Sequence, residues 1–159
     1  MCVTDQGIIR KATVQDLGTI VELEKKCFGS NSSYSRRQLY YLLTKANSIC
    51  LVEEKHHTIR GFVILLLKKG NSVAGFETLN VDPKFRGKGI ALNLLKSAEE
   101  DCKKRGHVRK LRLEVSTGNR HAIMLYAKAG FRKTEDLKQY YSFPQGGSRD
   151  AYRMIKEIA

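Results

Sequence analysis

Residues 81–91 combine glycines with basic side chains where a strand gives way to a helix. Asp82 and Pro83 end a β-rich run, Gly87 and Gly89 follow, and a helical pattern begins directly after them. Such a junction leaves backbone N–H groups unpaired at the positive end of a helix, where an anion binds well. The segment therefore predicts a phosphate-binding loop, and a simple tight turn is the alternative interpretation.

Two common nucleotide-binding motifs do not fit this segment. Its Gly-Lys pair is not followed by Ser or Thr, as a P-loop requires. The dinucleotide-binding motif also fails, because Leu92 stands where its last glycine belongs. The anion expected here is therefore carried by a different kind of ligand.

Strands and helices are mixed along the chain. The helix over residues 89–105 is the clearest, because Ala91, Leu94, Leu95, Ala98 and Cys102 recur at helical spacing. Alternation and turn signals predict strands at residues 8–12, 48–53, 59–67, 75–81, 109–115, 131–134 and 151–155. Further helices are predicted at residues 13–28, 35–43 and 119–128, with a polar loop at 29–34. We predict an α+β (mixed α/β) fold, with residues 1–159 as one domain.

Basic residues outnumber acidic ones by 29 to 16, which gives a formal net charge of +13. Residues 84–112 contain ten basic and three acidic residues, so +7 of this charge lies there. Such a stretch suits a polyanion, either a nucleic acid or a phosphorylated cofactor, and a solvated helix face is the plain alternative.

Metal and membrane functions are not indicated. The cysteines lack a C-x-x-C pair and the histidines have no ligand spacing beside them, so we expect no metal site. The longest apolar run, residues 62–67, is far shorter than the about 20 residues that span a bilayer. We expect a cytoplasmic protein with reduced thiols and no membrane partner.

The segment around residues 79–91 resembles the acetyl-coenzyme A motif of the GNAT acetyltransferases, R-x-x-G-x-A, with Arg86, Gly89 and Ala91 at its fixed positions. The resemblance continues at Leu113-Glu114-Val115, Asn119, Leu125-Tyr126, Ala129-Gly130-Phe131, Tyr140-Tyr141 and residues 150–154. This order is similar to the branch that contains RimI and the archaeal and eukaryotic N-terminal acetyltransferases. Residues 27–35 depart from it, because they lack a proline that is common in relatives.

The resemblance implies a fold and a cofactor. The sheet would be mixed and mostly antiparallel, with helices on both faces and two parallel strands that splay apart around acetyl-coenzyme A. No metal is implied. The residues implied to contact the cofactor are Leu79, Asn80, Val81, Arg86, Gly87, Lys88, Gly89, Ile90, Ala91, Leu92, Asn119 and Tyr126. Asn119 would serve equally as a helix N-cap.

Acetyl transfer needs an uncharged amine and a proton for the departing thiolate. The resemblance implies Glu114 as the base and Tyr126 as the acid, and Glu77 on the cofactor-binding strand is a rival base. A salt bridge with a neighbouring arginine is the alternative role for Glu114, and core packing is the alternative for Tyr126. An α-amine has a pKa of about 7.7 to 8.0 against about 10.4 for lysine, so a weak base suffices for protein N-termini.

The resemblance also implies a groove for an extended N-terminal peptide. Tyr140 and Tyr141 would form one wall, with Phe28 and Tyr34 on the opposite side, unless both tyrosine rings only cap the core. We expect direct acetyl transfer to protein N-termini in a ternary complex. Lysine or a small-molecule amine is the alternative acceptor, and a basic module that binds RNA or the ribosome is the alternative outside enzymes. Ribosome association is a further expectation, without specific recognition of nucleic acid.

Overall fold

The computed structural model describes residues 5–158, apart from the side chains of residues 30 and 31. Cys2 lies outside the described residues. Seven strands are formed by β1 (Ile8–Lys11), β2 (Ser48–Lys55), β3 (Thr58–Leu66), β4 (Val73–Val81), β5 (Lys110–Ser116), β6 (Arg132–Leu137) and β7 (Ala151–Glu157). Four α-helices are formed by α1 (Leu17–Ser32), α2 (Arg36–Thr44), α3 (Ile90–Lys104) and α4 (Arg120–Lys128).

The strands form one sheet in the order β1-β2-β3-β4-β5-β7-β6. Every neighbouring pair is antiparallel except β4 and β5, which run parallel. Their pairing covers only residues 73–75 of β4 and residues 110–112 of β5. Beyond these residues the two strands separate, and the sheet is open between them.

The helices cover both faces of the sheet. On one face α1 and α2 pack against β2 and β3 through Ile20, Leu39, Val52 and Phe62. On the other face α3 packs against β2, β3 and β4. A second group of buried apolar residues lies there, to which β5 contributes, and α4 adds partly buried residues. This arrangement confirms the predicted fold class, including the splayed parallel pair.

A bulge in β4 changes where its side chains lie. Ile64 of β3 pairs with Thr78, and the next residue, Leu65, pairs with Phe76, so Glu77 is the extra residue. Glu77 and Thr78 consequently both contact the α1–α2 face, by hydrogen bonds with Tyr34 and Glu24 respectively. The bulge thus brings a carboxylate to the open part of the sheet.

Two elements differ from their predictions. The polar loop predicted at residues 29–34 is wrong, because helix continues to Ser32 beyond a kink at Gly29, where φ is 73°. Glycine adopts this left-handed conformation without steric cost. The helical hydrogen bonding is therefore interrupted at Gly29, and the helix resumes after it. Strand β6 extends to Leu137, three residues beyond its predicted end. Its residues are mostly exposed at a sheet edge, so no apolar alternation marks it.

Within residues 5–158, no helix has the length and apolar character needed to cross a bilayer.

Candidate active site

The site surrounds the opening between β4 and β5. Leu79, Asn80 and Val81 lie on the part of β4 that has lost its β5 partner. Backbone groups on that edge are therefore available to an extended ligand lying between the strands. Leu79 and Val81 are half-buried beside the apolar cluster under α3, and the side chain of Asn80 is buried on the other face.

The segment after β4 forms the predicted anion cradle. Gly87 and Gly89 have φ values of 81° and 79°, and the space beside each Cα is open. The α3 ladder begins where Asn93 N donates to Gly89 O at 3.0 Å, so the amides of residues 90–92 precede it. Residues 86–89 are exposed, which leaves these amides accessible to an anion at the positive helix end.

Two basic side chains of the cradle have partners. Lys88 Nζ lies 2.8 Å from Asp5 Oδ2, and Asp5 also pairs with Lys55. Hydrogen bonds from Lys55 and Lys88 hold the pKa of Asp5 below its usual range. Arg86 extends toward Cys27, with 3.9 Å between its Nη2 and the sulfur. The cradle therefore carries positive charge that is only partly neutralised.

Asn119 is the N-cap of α4. Its Oδ1 accepts a hydrogen bond from Ala122 N at 3.1 Å, as the helix-capping interpretation predicts. The capping contact uses only the carbonyl oxygen, so the amide NH₂ of Asn119 is not consumed by it.

On the β4 side of the opening, Glu77 is hydrogen-bonded by a tyrosine. The hydroxyl of Tyr34 donates to Glu77 Oε2 at 2.5 Å. Burial and this hydrogen bond raise the pKa of Tyr34 well above its ordinary value. Tyr34 therefore stays protonated and acts as a neutral donor to the carboxylate.

Glu24 is a site residue that sequence reasoning missed. Its side chain is 1% exposed and accepts three hydrogen bonds, from Tyr34 N at 2.9 Å, Thr78 Oγ1 at 2.8 Å and Asn80 Nδ2 at 2.8 Å. These donors come from the segment before α2 and from β4. Glu24 therefore fixes Tyr34 against the strand that carries Glu77. A buried acidic residue in an otherwise apolar helix face is the only signal that the sequence offers.

On the β5 side of the opening, Glu114 is held by charged partners. Arg153 Nε donates to Glu114 Oε2 at 3.2 Å, and Arg112 Nε lies 3.5 Å from the same oxygen. Tyr140 donates a longer hydrogen bond to Oε1 at 3.4 Å. The salt bridge considered as the alternative role of Glu114 is thus present.

Tyr126 lies on the opposite face from these carboxylate contacts, on α4. Its ring is half-buried and packs edge-on against Phe131, with 6.1 Å between centroids. Burial raises the pKa of Tyr126 to about 12. Burial alone causes that shift, so the hydroxyl is a neutral donor in the neutral pH range.

Tyr140 and Tyr141 lie in the loop between β6 and β7. Their rings contact edge-to-face at 5.0 Å between centroids, and Tyr140 is 47% exposed while Tyr141 is half-buried. The pKa of Tyr141 is raised by burial and by the proximity of Tyr140, Glu114 and Tyr126. Tyr140 in turn lies close enough to Tyr34 to affect its pKa. The hydrogen bond of Tyr140 with Glu114 therefore places the tyrosine loop on the β5 side of the opening.

This loop is fastened to the turn that precedes α4. Ser116 Oγ donates to Gln145 O, and Thr117 N donates to Asp150 O at 2.9 Å. Gly118 lies so close to Gly146 that a Cβ would collide with the Gly146 carbonyl oxygen. The turn consequently requires glycine, and it holds the tyrosine loop next to the helix that carries Tyr126.

Phe28, expected on the opposite wall of the groove, stays a prediction. It lies half-buried on α1 just before the kink, and the aromatic pairs found among residues 5–158 do not include it. Those residues also contain no group of three His, Cys, Asp or Glu side chains that could hold a metal ion.

An opened sheet beside glycines at the start of a helix is the arrangement that the resemblance to the GNAT acetyltransferases implies. The chain belongs to the acetyltransferase (GNAT) family, whose sequence model matches residues 17–131. It is an N-acetyltransferase, and the alternative of a module that only binds RNA or the ribosome does not hold.

Curated relatives point to one branch of the family. A Bacillus subtilis protein named as a candidate ribosomal protein bS18-alanine N-acetyltransferase is 28% identical over 138 residues, covering 86% of this chain and 88% of the relative. An N-alpha-acetyltransferase of Saccharolobus solfataricus is 34% identical over 93 residues, covering 58% of this chain and 51% of the relative. The predicted resemblance to RimI-like and archaeal N-terminal acetyltransferases is confirmed.

Solved structures establish the fold. The ribosomal-protein-S18-alanine N-acetyltransferase of Escherichia coli superposes with a TM-score of 0.85 at 24% identity, covering 96% of this chain and 94% of that one. A spermidine N-acetyltransferase chimera from Vibrio cholerae and hSSAT gives a TM-score of 0.80, also at 24% identity, covering 97% of this chain and 96% of that one. One fold therefore serves relatives named for a protein substrate and for a polyamine.

Proposed function

We propose that this enzyme transfers the acetyl group of acetyl-coenzyme A to the α-amine of a protein N-terminus, by direct attack in a ternary complex. The observation that carries the proposal is the early separation of β4 from β5 beside the start of α3. This separation makes the edge of β4 and the anion cradle accessible along one continuous path. A long ligand with a diphosphate at one end fits such a path.

The residues present fit acetyl-coenzyme A. Gly87 and Gly89 leave open space over the free amides of residues 90–92, where a diphosphate would bind. Arg86 and Lys88 add positive charge there. The β4 edge at residues 79–81 offers backbone groups to the pantetheine arm, and the free NH₂ of Asn119 is a further donor. When bound, the cofactor supplies a thioester carbonyl as electrophile and a thiolate as leaving group.

The chain's own residues supply the proton transfers. A carboxylate, Glu77 or Glu114, accepts the proton that the attacking amine loses as its nitrogen bonds to the acetyl carbon. The Tyr126 hydroxyl donates a proton to sulfur as the carbon–sulfur bond breaks. Its raised pKa keeps it protonated throughout the neutral range. Glu77 is the better-placed base, because its hydrogen-bond partner is neutral whereas Glu114 neutralises Arg153.

The acceptor groove lies between the tyrosine loop and the start of α2. Tyr140 and Tyr34 lie near each other across the opening, and their hydroxyls contact the two carboxylates. Tyrosine rings enclose a first side chain while hydroxyls bond to a peptide backbone. The names of the bacterial and archaeal relatives support a protein N-terminus as the acceptor. Because a spermidine acetyltransferase has the same fold, a small amine is the second candidate acceptor.

The test compares acceptors. The purified protein is incubated with acetyl-coenzyme A and either short peptides with free N-termini, peptides with blocked N-termini and a free lysine, or spermidine. We expect acetylation of the free N-termini, and calorimetric binding of coenzyme A. Preference for spermidine or for lysine would overturn the acceptor, and no coenzyme A binding would overturn the cofactor.

Variants of the loop sharpen this test. Tyr140→Ala and Tyr141→Ala should each lower kcat/KM for peptides by about tenfold, since a few buried aromatic contacts dominate binding of a chain. Acetylation of a free small amine should change much less, because such an amine does not reach along the groove. Equal losses on both acceptors, or no loss, would mean that the rings only cap the core. Tyr40→Ala, on the exposed part of α2, is the matched control.

A further inference from the structure

The basic charge of residues 84–112 is divided between two distant places in the fold. Helix α3 has 15 residues, about 22 Å at 1.5 Å per residue, and separates the cradle from its own carboxyl end. At that far end the sheet presents the start of β5 and the segment after β3. We call this area the distal basic surface. Its exposed basic residues are Lys68, Lys69, Lys103, Lys104, Arg105, Arg109 and Lys110.

Backbone contacts hold the three contributing segments together. The amides of Arg109 and Lys110 donate to Ser72 O at 2.7 and 3.1 Å, and Lys110 pairs with Val73. Gly106 N donates to Lys103 O at 3.1 Å, which turns the chain from α3 toward β5. The seven residues therefore lie together at one end of the sheet.

The charges of this surface are largely unpaired. Within residues 5–158, Lys103 is the one member with a salt bridge, to Glu99 at 3.5 Å. Glu100 and Asp101 lie one turn earlier on α3. Within residues 5–158, neither forms a salt bridge with any of the seven basic residues. At the cradle end, by contrast, Lys55 and Lys88 share Asp5. The distal surface thus has a net positive charge available for a partner.

The composition of the surface indicates the partner's chemistry. The large apolar side chains that are exposed lie elsewhere, at Ile8, Val14, Tyr40, Tyr41, Met124, Tyr140 and Phe143. Protein interfaces have an apolar centre depleted in lysine, and membrane-binding surfaces insert apolar groups. Lysine and arginine without such groups are typical of contacts with a phosphate backbone.

We propose that the distal basic surface binds the phosphate backbone of RNA without reading its bases. The choice of RNA over DNA rests on the proposed function, because a protein N-terminus emerges from a ribosome, whose surface is rich in RNA. The surface lies at the end of α3 away from the cradle, so RNA and the cofactor bind at the same time. RNA contact then raises the local concentration of enzyme near emerging N-termini.

The test measures binding of the full-length protein to a fluorescent single-stranded RNA across a salt series. The triple variant Lys69→Glu, Arg105→Glu and Arg109→Glu changes one residue in each segment. The control triple Lys11→Glu, Lys25→Glu and Lys96→Glu makes the same change in net charge at exposed positions elsewhere. We expect at least about tenfold weaker binding for the distal triple. The slope of log K against log salt concentration should fall by the equivalent of about two phosphate contacts. The control triple should lose about threefold or less.

Several results would overturn the inference. These are equal losses in the two triples, no RNA binding at physiological salt, or tighter binding of duplex DNA or of anionic vesicles than of RNA. Thermal unfolding and peptide acetylation should be unchanged in both triples. If the distal triple does not fold, the milder Lys69→Gln, Arg105→Gln and Arg109→Gln set must still bind RNA more weakly than wild type. RNA binding without peptide acetylation would refute the proposed acceptor and leave the binding surface standing.

Discussion

The two sides of the opening hold their carboxylates in different ways. On the β4 side, Glu77 accepts a hydrogen bond from the neutral hydroxyl of Tyr34. On the β5 side, Glu114 faces the guanidinium groups of Arg153 and Arg112. Protonating Glu77 leaves only a hydroxyl to reorient, whereas protonating Glu114 deprives two cations of their partner. The two carboxylates therefore differ in their partners, a neutral hydroxyl for Glu77 and two guanidinium groups for Glu114.

Loss of the Tyr126 hydroxyl should have the largest effect, because transfer from either side of the opening requires a proton for the leaving sulfur. Tyr126→Phe should lower kcat by about 10² or more, the usual contribution of general acid catalysis. Calorimetry should show nearly unchanged affinity for coenzyme A. Tyr152→Phe, a half-buried tyrosine of β7, serves as the control. Full activity of Tyr126→Phe would remove this residue from the mechanism.

Neutralising each carboxylate in turn tests the difference between the two sides. Glu77→Gln should lower kcat about tenfold near pH 7, and Glu114→Gln only a few-fold, because glutamine keeps a hydrogen bond but accepts no proton. The loss in Glu77→Gln should shrink above about pH 8, where most α-amines are already neutral. Steady-state rates against pH measure both effects. A larger loss for Glu114→Gln would reverse the assignment.

A double-mutant cycle tests whether Glu24 acts through Tyr34. Glu24→Gln should lower kcat/KM for a peptide by about three- to tenfold, as expected within one hydrogen-bond network. In a Tyr34→Phe background the same substitution should have little further effect, since the contact with Glu77 is already lost. Glu22→Gln, exposed two residues earlier, is the control. If the two losses simply multiply, Glu24 has only a structural role.

The smallest effect concerns stability in alkali. The folded-state pKa of Tyr126, about 12, exceeds the ordinary value of about 10, so the fold favours the neutral phenol. This contribution is complete below about pH 10 and is lost as the pH rises toward 12. Tyr126→Phe should therefore flatten the decline in unfolding free energy over that interval, by at most about 2 to 3 kcal/mol. Urea unfolding at a series of pH values measures it, and an unchanged slope would contradict the burial of the hydroxyl.

Local signals account for the parts of the molecule that the sequence predicts well. The glycines before α3 and the spacing along it give both the cradle and the helix, because turn and helix chemistry act within a few residues. Likewise Asn119 caps α4 as predicted. Glu24 was missed, since its partners Thr78 and Asn80 are 54 and 56 residues away. The basic residues of the stretch 84–112 lie at two ends of the fold because α3 runs from one end to the other. The composition of the stretch does not reveal this direction.

The junction between the turn at Gly118 and the segment at Gly146 has a practical consequence for protein engineering. Because hydrogen bonds from Ser116 and Thr117 anchor residues 145–150, the tyrosine loop has a fixed base, to which the backbone amides of Gln139 and Tyr141 also bond. A library that randomises residues 138–143 while preserving that base should yield folded variants with altered acceptor preference. Randomising the base instead should disturb the helix that carries Tyr126, and so abolish turnover for every acceptor alike.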